Sequence, residues 1–145
     1  MSVETNMIVL RRFIEEAWNN GNIRVIDELF SQDYVYHPAY FVDRELRGTE
    51  GIKQLVNFYR SAFPDLRVTV EEMFGDRDEA VVRMSWYGTH RGQFLNAAPT
   101  GRQVVFSWIN INRFANGKIA ETWPAVDIMW ALQQLGVAGA AGPTG

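Results

Sequence analysis

Two histidines are the side chains in this sequence best suited to move a proton near neutral pH. They are His37 and His90, and histidine serves as an acid or a base because its pKa lies close to neutrality. His37 lies in an aromatic-rich extended segment beside Pro38, and His90 ends a predicted strand. Each is a candidate for chemistry, and each can equally be a structural histidine bonded to the backbone or one open to solvent.

Asp127 and Asn110 are the other candidates for a chemical role. Asp127 opens the last predicted helix within an apolar stretch, where burial would raise the pKa of its carboxyl and make it a base. A carboxylate at that place can instead satisfy backbone N–H groups of the helix, so both interpretations stay open. Asn110 lies between aromatic residues of a predicted strand and is suited to hydrogen-bond a ligand carbonyl or a developing enolate.

The spacing of the polar residues does not predict a metal site or a nucleotide site. There is neither a His-x-His nor a His-Glu-x-x-His motif, which are spacings typical of zinc and iron sites. The chain has no cysteine, which excludes disulfides, thiolate ligands and a cysteine nucleophile. Because glycine-rich phosphate loops and a Gly-x-Ser-x-Gly motif are also missing from the sequence, we predict a protein without a cofactor.

The composition is that of one globular domain. The 145 residues are 47% hydrophobic and 21% charged, with a net charge of −3, so we expect a packed core and neither nucleic acid nor membrane as a partner. No apolar stretch approaches the roughly 20 residues that span a bilayer, and the N-terminus lacks a signal-peptide pattern. We therefore expect a cytoplasmic protein, with one domain over residues 1–136 and a disordered Gly/Ala/Pro-rich tail over 137–145.

The hydrophobic pattern changes its period near Asp65. Before it, apolar residues at three- and four-residue spacing predict helices over about 5–20, 23–30 and 48–63, with an extended segment over 33–40. After it, alternation predicts long strands over about 79–90 and 103–114, a hairpin at Asn116-Gly117, a strand to about 123 and a helix over 126–135. We therefore predict an α+β fold, a cone-shaped barrel in which a strongly curved antiparallel sheet wraps around three N-terminal helices, with a short C-terminal helix.

The alternation of side chains along a strand predicts which residues share a face. If the first long strand turns its aromatic face inward, His90 lies at the rim of a pocket and Trp86 lies deeper. The face of the second strand that carries Trp108 and Asn110 can line the pocket or form a subunit interface, where aromatic residues are also enriched. A β-bulge would reverse such an assignment.

Six runs of the sequence match a known family, and they are residues 47–51, 62–66, 88–95, 98–102, 116–123 and 127–136. Over about residues 10–136 the chain resembles the SnoaL-like polyketide cyclase family. The resemblance implies a nuclear-transport-factor-2-like cone, usually a homodimer packed through its sheet. Characterised relatives close the last ring of aromatic polyketides by an intramolecular aldol reaction, without metal or cofactor. In them an acidic residue removes the proton next to a carbonyl, and pocket groups stabilise the enolate.

The resemblance carries over to some site residues and not to others. His90 matches the Gly-x-His segment of the family. Asn110 stands where the cyclases tend to have histidine. A rough alignment places the catalytic aspartate of the family near Pro124, and Asp127 is the nearest acid.

We therefore predict a cofactor-independent acid/base enzyme, a polyketide-cyclase-like aldol cyclase, isomerase or lyase that acts on a hydrophobic carbonyl compound in an apolar pocket. His90 and Asp127 are expected to be the acid and the base, and Asn110 is expected to polarise a carbonyl. The residues expected to shape the pocket and bind the substrate are His37, Tyr40, Trp86, Trp108 and Trp123.

Two other functions remain open for this fold. One is a non-catalytic protein that binds a small hydrophobic organic ligand. The other is a homodimeric interaction domain whose cone is filled by its own aromatic side chains. A homodimer is expected in any case, because long strands with an apolar outer face favour association of a small domain.

Overall fold

A computed structural model describes residues 2–38 and 44–137 of the chain. The helices are α1 (Val3–Arg12), which continues as a π-helical stretch (Phe13–Asn19), α2 (Val25–Leu29), α3 (Gly48–Ala62) and α4 (Ile128–Gln134). The strands are β1 (Phe30–Tyr36), β2 (Leu46–Arg47), β3 (Arg67–Asp76), β4 (Glu79–Thr89), β5 (Gln103–Ala115) and β6 (Lys118–Val126). Residues 138–145 of the predicted tail lie outside the described residues. Within the described ranges, no helix combines the length and the apolar character needed to cross a bilayer.

The six strands form one open sheet in the order β2-β1-β6-β5-β4-β3. Strands β3 to β6 are an antiparallel meander, as predicted. Strand β1 pairs parallel with β6, so the prediction of a wholly antiparallel sheet was wrong at this pair. The reason is that β1 enters the sheet from the helices, beside a strand that is far from it in the chain. The α+β prediction is confirmed, with a curved sheet that does not close.

The N-terminal helical segment supplies one wall of the core. It begins at Ser2, whose side chain accepts a hydrogen bond from the Thr5 backbone N–H at 3.0 Å, as an N-cap does. The π-helical stretch that follows brings Phe13 and Trp18 into the interior, where each is at most 6% exposed. The wide turns of a π-helix are often found at functional sites, and this one places Trp18 against the sheet.

Two side-chain amides tie the helices to the backbone of the sheet. Asn19 accepts from the Val68 N–H at 2.7 Å and donates to the Val68 carbonyl at 3.0 Å. Gln134 makes the same pair of bonds with Val105, at 2.9 and 2.6 Å. Each amide satisfies strand backbone groups as a neighbouring strand would, so the π-helical stretch is fixed to β3 and α4 is fixed to β5.

The structure decides which faces of the two long strands point inward, a choice that the sequence left open. On β4 the inward residues include Trp86, which is fully buried, as is His90 directly after the strand. On β5 they include Trp108, which is 1% exposed. Strand β5 therefore lines the interior with its aromatic and amide face, and the subunit-interface alternative does not apply to that face. The outer face carries large exposed hydrophobic residues, which are Phe74, Tyr87, Val105, Ile109, Ile111 and Trp123.

Candidate functional site

A small cavity lies between the helices and the inner face of the sheet. Its volume is about 10 Å³, which is room for roughly one water molecule. The cavity lies where β4, β5 and β6 are paired side by side and where the π-helical stretch, β1 and α3 cover them. The residues that line it are Phe13, Trp18, Tyr34, Tyr36, Ile52, Leu55, Trp86, Trp108, Asn110, Asn112 and Thr122.

Three of the residues that line the cavity each have a polar atom that is buried without a hydrogen-bond partner among the described residues. They are Nε1 of Trp86, Nε1 of Trp108 and Oδ1 of Asn110. Buried polar groups in proteins are almost always hydrogen-bonded, so such groups need an explanation. Two donors and one acceptor around one cavity can be satisfied together by water or by a ligand that carries both kinds of atom.

Three other polar residues of the wall are linked to one another by hydrogen bonds. The Tyr34 hydroxyl is hydrogen-bonded to Thr122, and the Thr122 hydroxyl donates to Oδ1 of Asn112 at 2.9 Å. Burial raises the pKa of Tyr34 and of Tyr36 well above the usual value for a phenol. Both phenols are therefore neutral at physiological pH, and this side of the cavity is polar without being charged.

The structure places His90 away from the cavity, at the end of β4 and four residues beyond Trp86. This separation is roughly 13 Å along a strand. The Thr100 N–H donates to His90 Nδ1 at 3.2 Å, and the Thr100 hydroxyl lies 3.0 Å from the same atom. Because Nδ1 accepts, the proton of the neutral ring is on Nε2, which is near backbone carbonyls but makes no hydrogen bond of standard geometry among the described residues. Burial lowers the pKa of His90, and the carbonyls of Ala97 and Gly92 oppose this shift.

Asp127 lies on the surface and caps α4. Its Oδ1 accepts a hydrogen bond from the Trp130 backbone N–H at 3.2 Å, which corresponds to the helix-terminus interpretation. The backbone N–H of Asp127 bonds the Ser107 carbonyl, whereas that of His90 bonds the Arg102 carbonyl. These two carbonyls are five residues apart, roughly 16 Å along a strand. The structure therefore does not bring together the predicted acid/base pair, and its catalytic role stays a prediction.

His37 and Trp123 lie on the outer side of the sheet, so their predicted place in the pocket was wrong for this cavity. Their rings stack with centroids 5.0 Å apart and planes 10° apart. His37 Nε2 lies 2.6 Å from Oε2 of Glu121, and the other oxygen of Glu121 accepts from Arg113 Nε at 2.9 Å. The His37 contact and the Arg113 guanidinium lower the pKa of Glu121. Tyr40, the remaining predicted pocket residue, lies outside the described residues.

Sequence reasoning missed several residues that line the cavity. Tyr34 and Tyr36 are spaced two apart in a segment that was predicted to be extended, and this spacing was the signal that they share a face. Trp18 lies within the first predicted helix, over about residues 5–20, and was not assigned a role in a pocket. Thr122 has no signal in the sequence, because a β-bulge in β6 sets its direction.

A larger depression, of about 320 Å³, lies at the other end of β4 and β5 and includes Asp65 and Tyr87. Both carboxylate oxygens of Asp65 are occupied, by the backbone N–H and the hydroxyl of Thr89, each at 2.7 Å. In the described ranges, no group of three or more histidine, aspartate or glutamate side chains is placed to hold a metal ion. The interior cavity, with its unpartnered polar atoms, is therefore the better candidate site.

Comparison with known proteins identifies the family. The family model described as SnoaL-like polyketide cyclase matches residues 8–135. The chain is 29% identical over 138 residues to the aklanonic acid methyl ester cyclase DnrD of Streptomyces peucetius, covering 92% of each. It is 30% identical over 132 residues to the enzyme of the same name, DauD, of Streptomyces sp. strain C5, covering 88% of this chain and 80% of that one. The solved structure of TsrD from Streptomyces laurentii superimposes with a TM-score of 0.84 at 26% identity, covering 94% of this chain and 98% of that one. This chain belongs to the SnoaL-like polyketide cyclase family.

Proposed function

We propose that this protein closes a ring in a polyketide-type carbonyl compound by an intramolecular aldol reaction, without a cofactor. Two relatives named as aklanonic acid methyl ester cyclases support the reaction class. The observation that supports the interior cavity as the site of this reaction is its wall, whose residues have two unpartnered donors and one unpartnered acceptor. An aldol reaction turns one carbonyl oxygen into a hydroxyl, so its product contains both an acceptor and a donor for such a wall.

Asn110 has a defined part in this proposal. The Oδ1 atom of its amide is an acceptor without a partner among the described residues. It can accept a hydrogen bond from the hydroxyl that the reaction forms. In the reaction a carbon–carbon bond forms between the α-carbon and the second carbonyl carbon. The α-proton is released to water and the new alkoxide takes up a proton from water, so atoms and charge balance without an oxidant or a reductant. Pro124, where a rough alignment puts the catalytic aspartate of the family, is the register partner of Asn110.

The small size of the cavity has a consequence for binding. A volume of about 10 Å³ holds roughly one water molecule, whereas pockets for drug-sized ligands are on the order of 300–1,000 Å³. A ring-bearing substrate therefore binds only after wall side chains such as Phe13 and Tyr36 move. We expect association to be slower than diffusion, because the binding-competent state is a minor one.

The direct test is turnover of aklanonic acid methyl ester by the purified protein, followed by chromatography. Replacing Asn110 by leucine, which keeps the shape and removes the acceptor, is expected to reduce kcat/KM about tenfold or more. Ser107→Ala, on the outer face of the same strand, is the matched control and should retain the wild-type rate. The same assay on His90→Asn and Asp127→Asn tests the predicted acid/base pair. Turnover by wild type with an unchanged rate for Asn110→Leu would remove Asn110 from the site.

A second candidate function is ligand binding, or partner binding, without catalysis. The nearly filled interior favours it, as does the lack of a carboxylate or an imidazole among the described residues that line the cavity. Absence of turnover, together with tight binding of unchanged aklanonic acid methyl ester, would establish a carrier. Absence of both would favour the interaction domain.

We also propose that the protein is a homodimer that buries the outer face of the sheet. Ile109 and Ile111 on β5 are 41% and 43% exposed, and Trp123 on β6 is 38% exposed beside them. Exposed apolar residues in one contiguous patch are typical of interfaces. Light scattering at micromolar concentration should give twice the mass of the 16.6 kDa chain, and Ile111→Lys should give the monomer. Ile8→Lys, at an exposed residue of α1, should leave the dimer intact. A monomeric wild type would refute the proposal.

A further inference from the structure

We propose that the indole N–H groups of Trp86 and Trp108 form a donor pair that binds the carbonyl oxygen of the ligand and stabilises negative charge there. This inference rests on the proposed function and assigns a chemical role to two residues that would otherwise only fill the core. It specifies the ligand class as compounds that place a carbonyl or enolate oxygen in the cavity.

The first step in the argument is that these two donors have no other use in the described structure. Trp86 and Trp108 are at most 1% exposed, and Nε1 of each lacks an acceptor among the described residues. An indole nitrogen can only donate, and a buried donor without an acceptor costs free energy comparable to a lost hydrogen bond. An acceptor that enters the cavity removes this cost for both tryptophans.

The second step is that the pair is held in place before a ligand arrives. The two rings stack with centroids 4.3 Å apart and planes 23° apart. They come from neighbouring strands, since Trp86 pairs with Phe106 and Met84 pairs with Trp108. Trp18 packs against both rings, with centroids 4.4 Å from Trp86 and 5.9 Å from Trp108. Donors fixed by packing need no reorganisation as charge develops, which is the basis of oxyanion stabilisation.

The third step concerns the sign of charge that the wall favours. The remaining polar groups of the wall are neutral amides, hydroxyls and phenols, and Asn110 Oδ1 is its only unpartnered acceptor among the described residues. Hydrogen bonds in a buried, weakly polar environment are stronger than in water. A ligand oxygen with partial negative charge is therefore stabilised by the two donors, whereas a ligand without an acceptor leaves them unsatisfied.

The test compares anthraquinone with anthracene, which have the same ring frame and differ in two carbonyl oxygens. The five tryptophans of the chain give five indole N–H signals in a nitrogen-15 NMR spectrum, assigned by single Trp→Phe variants. Anthraquinone is expected to move the Trp86 and Trp108 signals downfield, and anthracene is expected not to do so. The Trp123 signal, from the outer face, serves as an internal control.

Variants test the same pair by affinity and by rate. Replacing Trp86 or Trp108 by 3-benzothienylalanine exchanges only the N–H for sulfur, so packing is kept. Each exchange is expected to reduce the preference for anthraquinone over anthracene about tenfold, and to lower kcat for aklanonic acid methyl ester more than it raises KM. The same exchange at Trp123, whose side chain lies on the outer face of the sheet, is the control and should leave the preference unchanged.

These outcomes separate the inference from the proposed function. A preference for anthraquinone that needs both indoles supports the donor pair even if wild type turns over no substrate, in which case only the cyclase proposal fails. Turnover by wild type with an unchanged preference and kcat in both variants overturns the donor pair and leaves the cyclase proposal standing. Failure of wild type to bind anthraquinone, or binding without a shift of the two signals, also overturns it.

Discussion

Replacing Gly92 by alanine is expected to lower the free energy of unfolding by roughly 3–5 kcal/mol, from overpacking and the loss of two hydrogen bonds. A Cβ at this position would lie 2.1 Å from the Ser61 carbonyl oxygen and 3.0 Å from its carbon. Both atoms are backbone at the end of α3, so they cannot move aside as a flexible side chain would. The Arg91 and Gly92 N–H groups donate to the Ala62 carbonyl at 3.0 and 3.1 Å, and these bonds break when the segments separate.

Gly101→Ala is the matched control for this prediction. Gly101 lies at the other end of the same loop with φ +73°, and a Cβ there would have no neighbour within 4 Å. Gly101→Ala is therefore expected to lower the free energy of unfolding by about 1–2 kcal/mol, which is the cost of alanine in the left-handed backbone conformation. Urea unfolding followed by tryptophan fluorescence measures both variants. A Gly92→Ala midpoint at or above that of Gly101→Ala would mean that the loop does not pack on α3.

The residues that share a face of β4 or of β5 could be predicted because the pairing is regular, whereas the face that points inward could not. Eleven consecutive pairs join the two strands, from Glu79–Arg113 to Thr89–Gln103, without a shift in register. Alternation of side chains then holds over the whole length, and one apolar position such as Trp86 fixes the direction of every other residue. The candidate residues Trp108 and Asn110 were found in this way.

The direction of Trp123 could not be predicted, because one extra residue in β6 reverses the alternation. At the hairpin Phe114 pairs with Ile119, and both point inward. The next pair is Arg113 with Glu121, so Ala120 is the inserted residue of a bulge. Without the bulge Trp123 would face the cavity with Ile119. With it, Thr122 faces the cavity, and no local pattern in the sequence indicates that insertion.

The separation of the predicted acid/base residues has a similar cause. His90, Asp127 and Asn110 were grouped by chemical type. The distances between them depend on the position along β5 beside which each residue lies. Asp127 follows a strand that pairs with β5 up to Trp108, and His90 meets the chain at Arg102, before β5 begins. Register between distant segments is a tertiary property, so residue types alone could not supply it.

His90→Asn is expected to make the free energy of unfolding less dependent on pH in the weakly acidic range than it is in wild type. Burial lowers the pKa of His90 in the folded protein, so its unfolded value of about 6.5 is the higher one. As the pH is lowered, the unfolded chain therefore binds this proton before the folded protein does. The contribution of His90 to the free energy of unfolding is complete above about pH 6.5. It decreases as the pH falls towards the folded pKa, by up to about 1.4 kcal/mol per pH unit. The main reason is that the buried ring would lose the hydration of its charge, and a protonated Nδ1 could also no longer accept from the Thr100 N–H.

Asparagine is the informative replacement because its side-chain oxygen can accept the same Thr100 N–H without titrating. At pH 8 the variant should be about 2–3 kcal/mol less stable than wild type, because the smaller side chain leaves a cavity beside Phe63. Between pH 7.5 and pH 5 this difference should shrink, since only wild type loses the His90 contribution. The carboxylates whose pKa values are lowered, Glu28, Asp65 and Glu121, titrate in a more acidic range and are present in both proteins, so the difference curve reports His90. Parallel stability curves for the two proteins over this range would show that His90 is not the buried neutral acceptor that holds the loop.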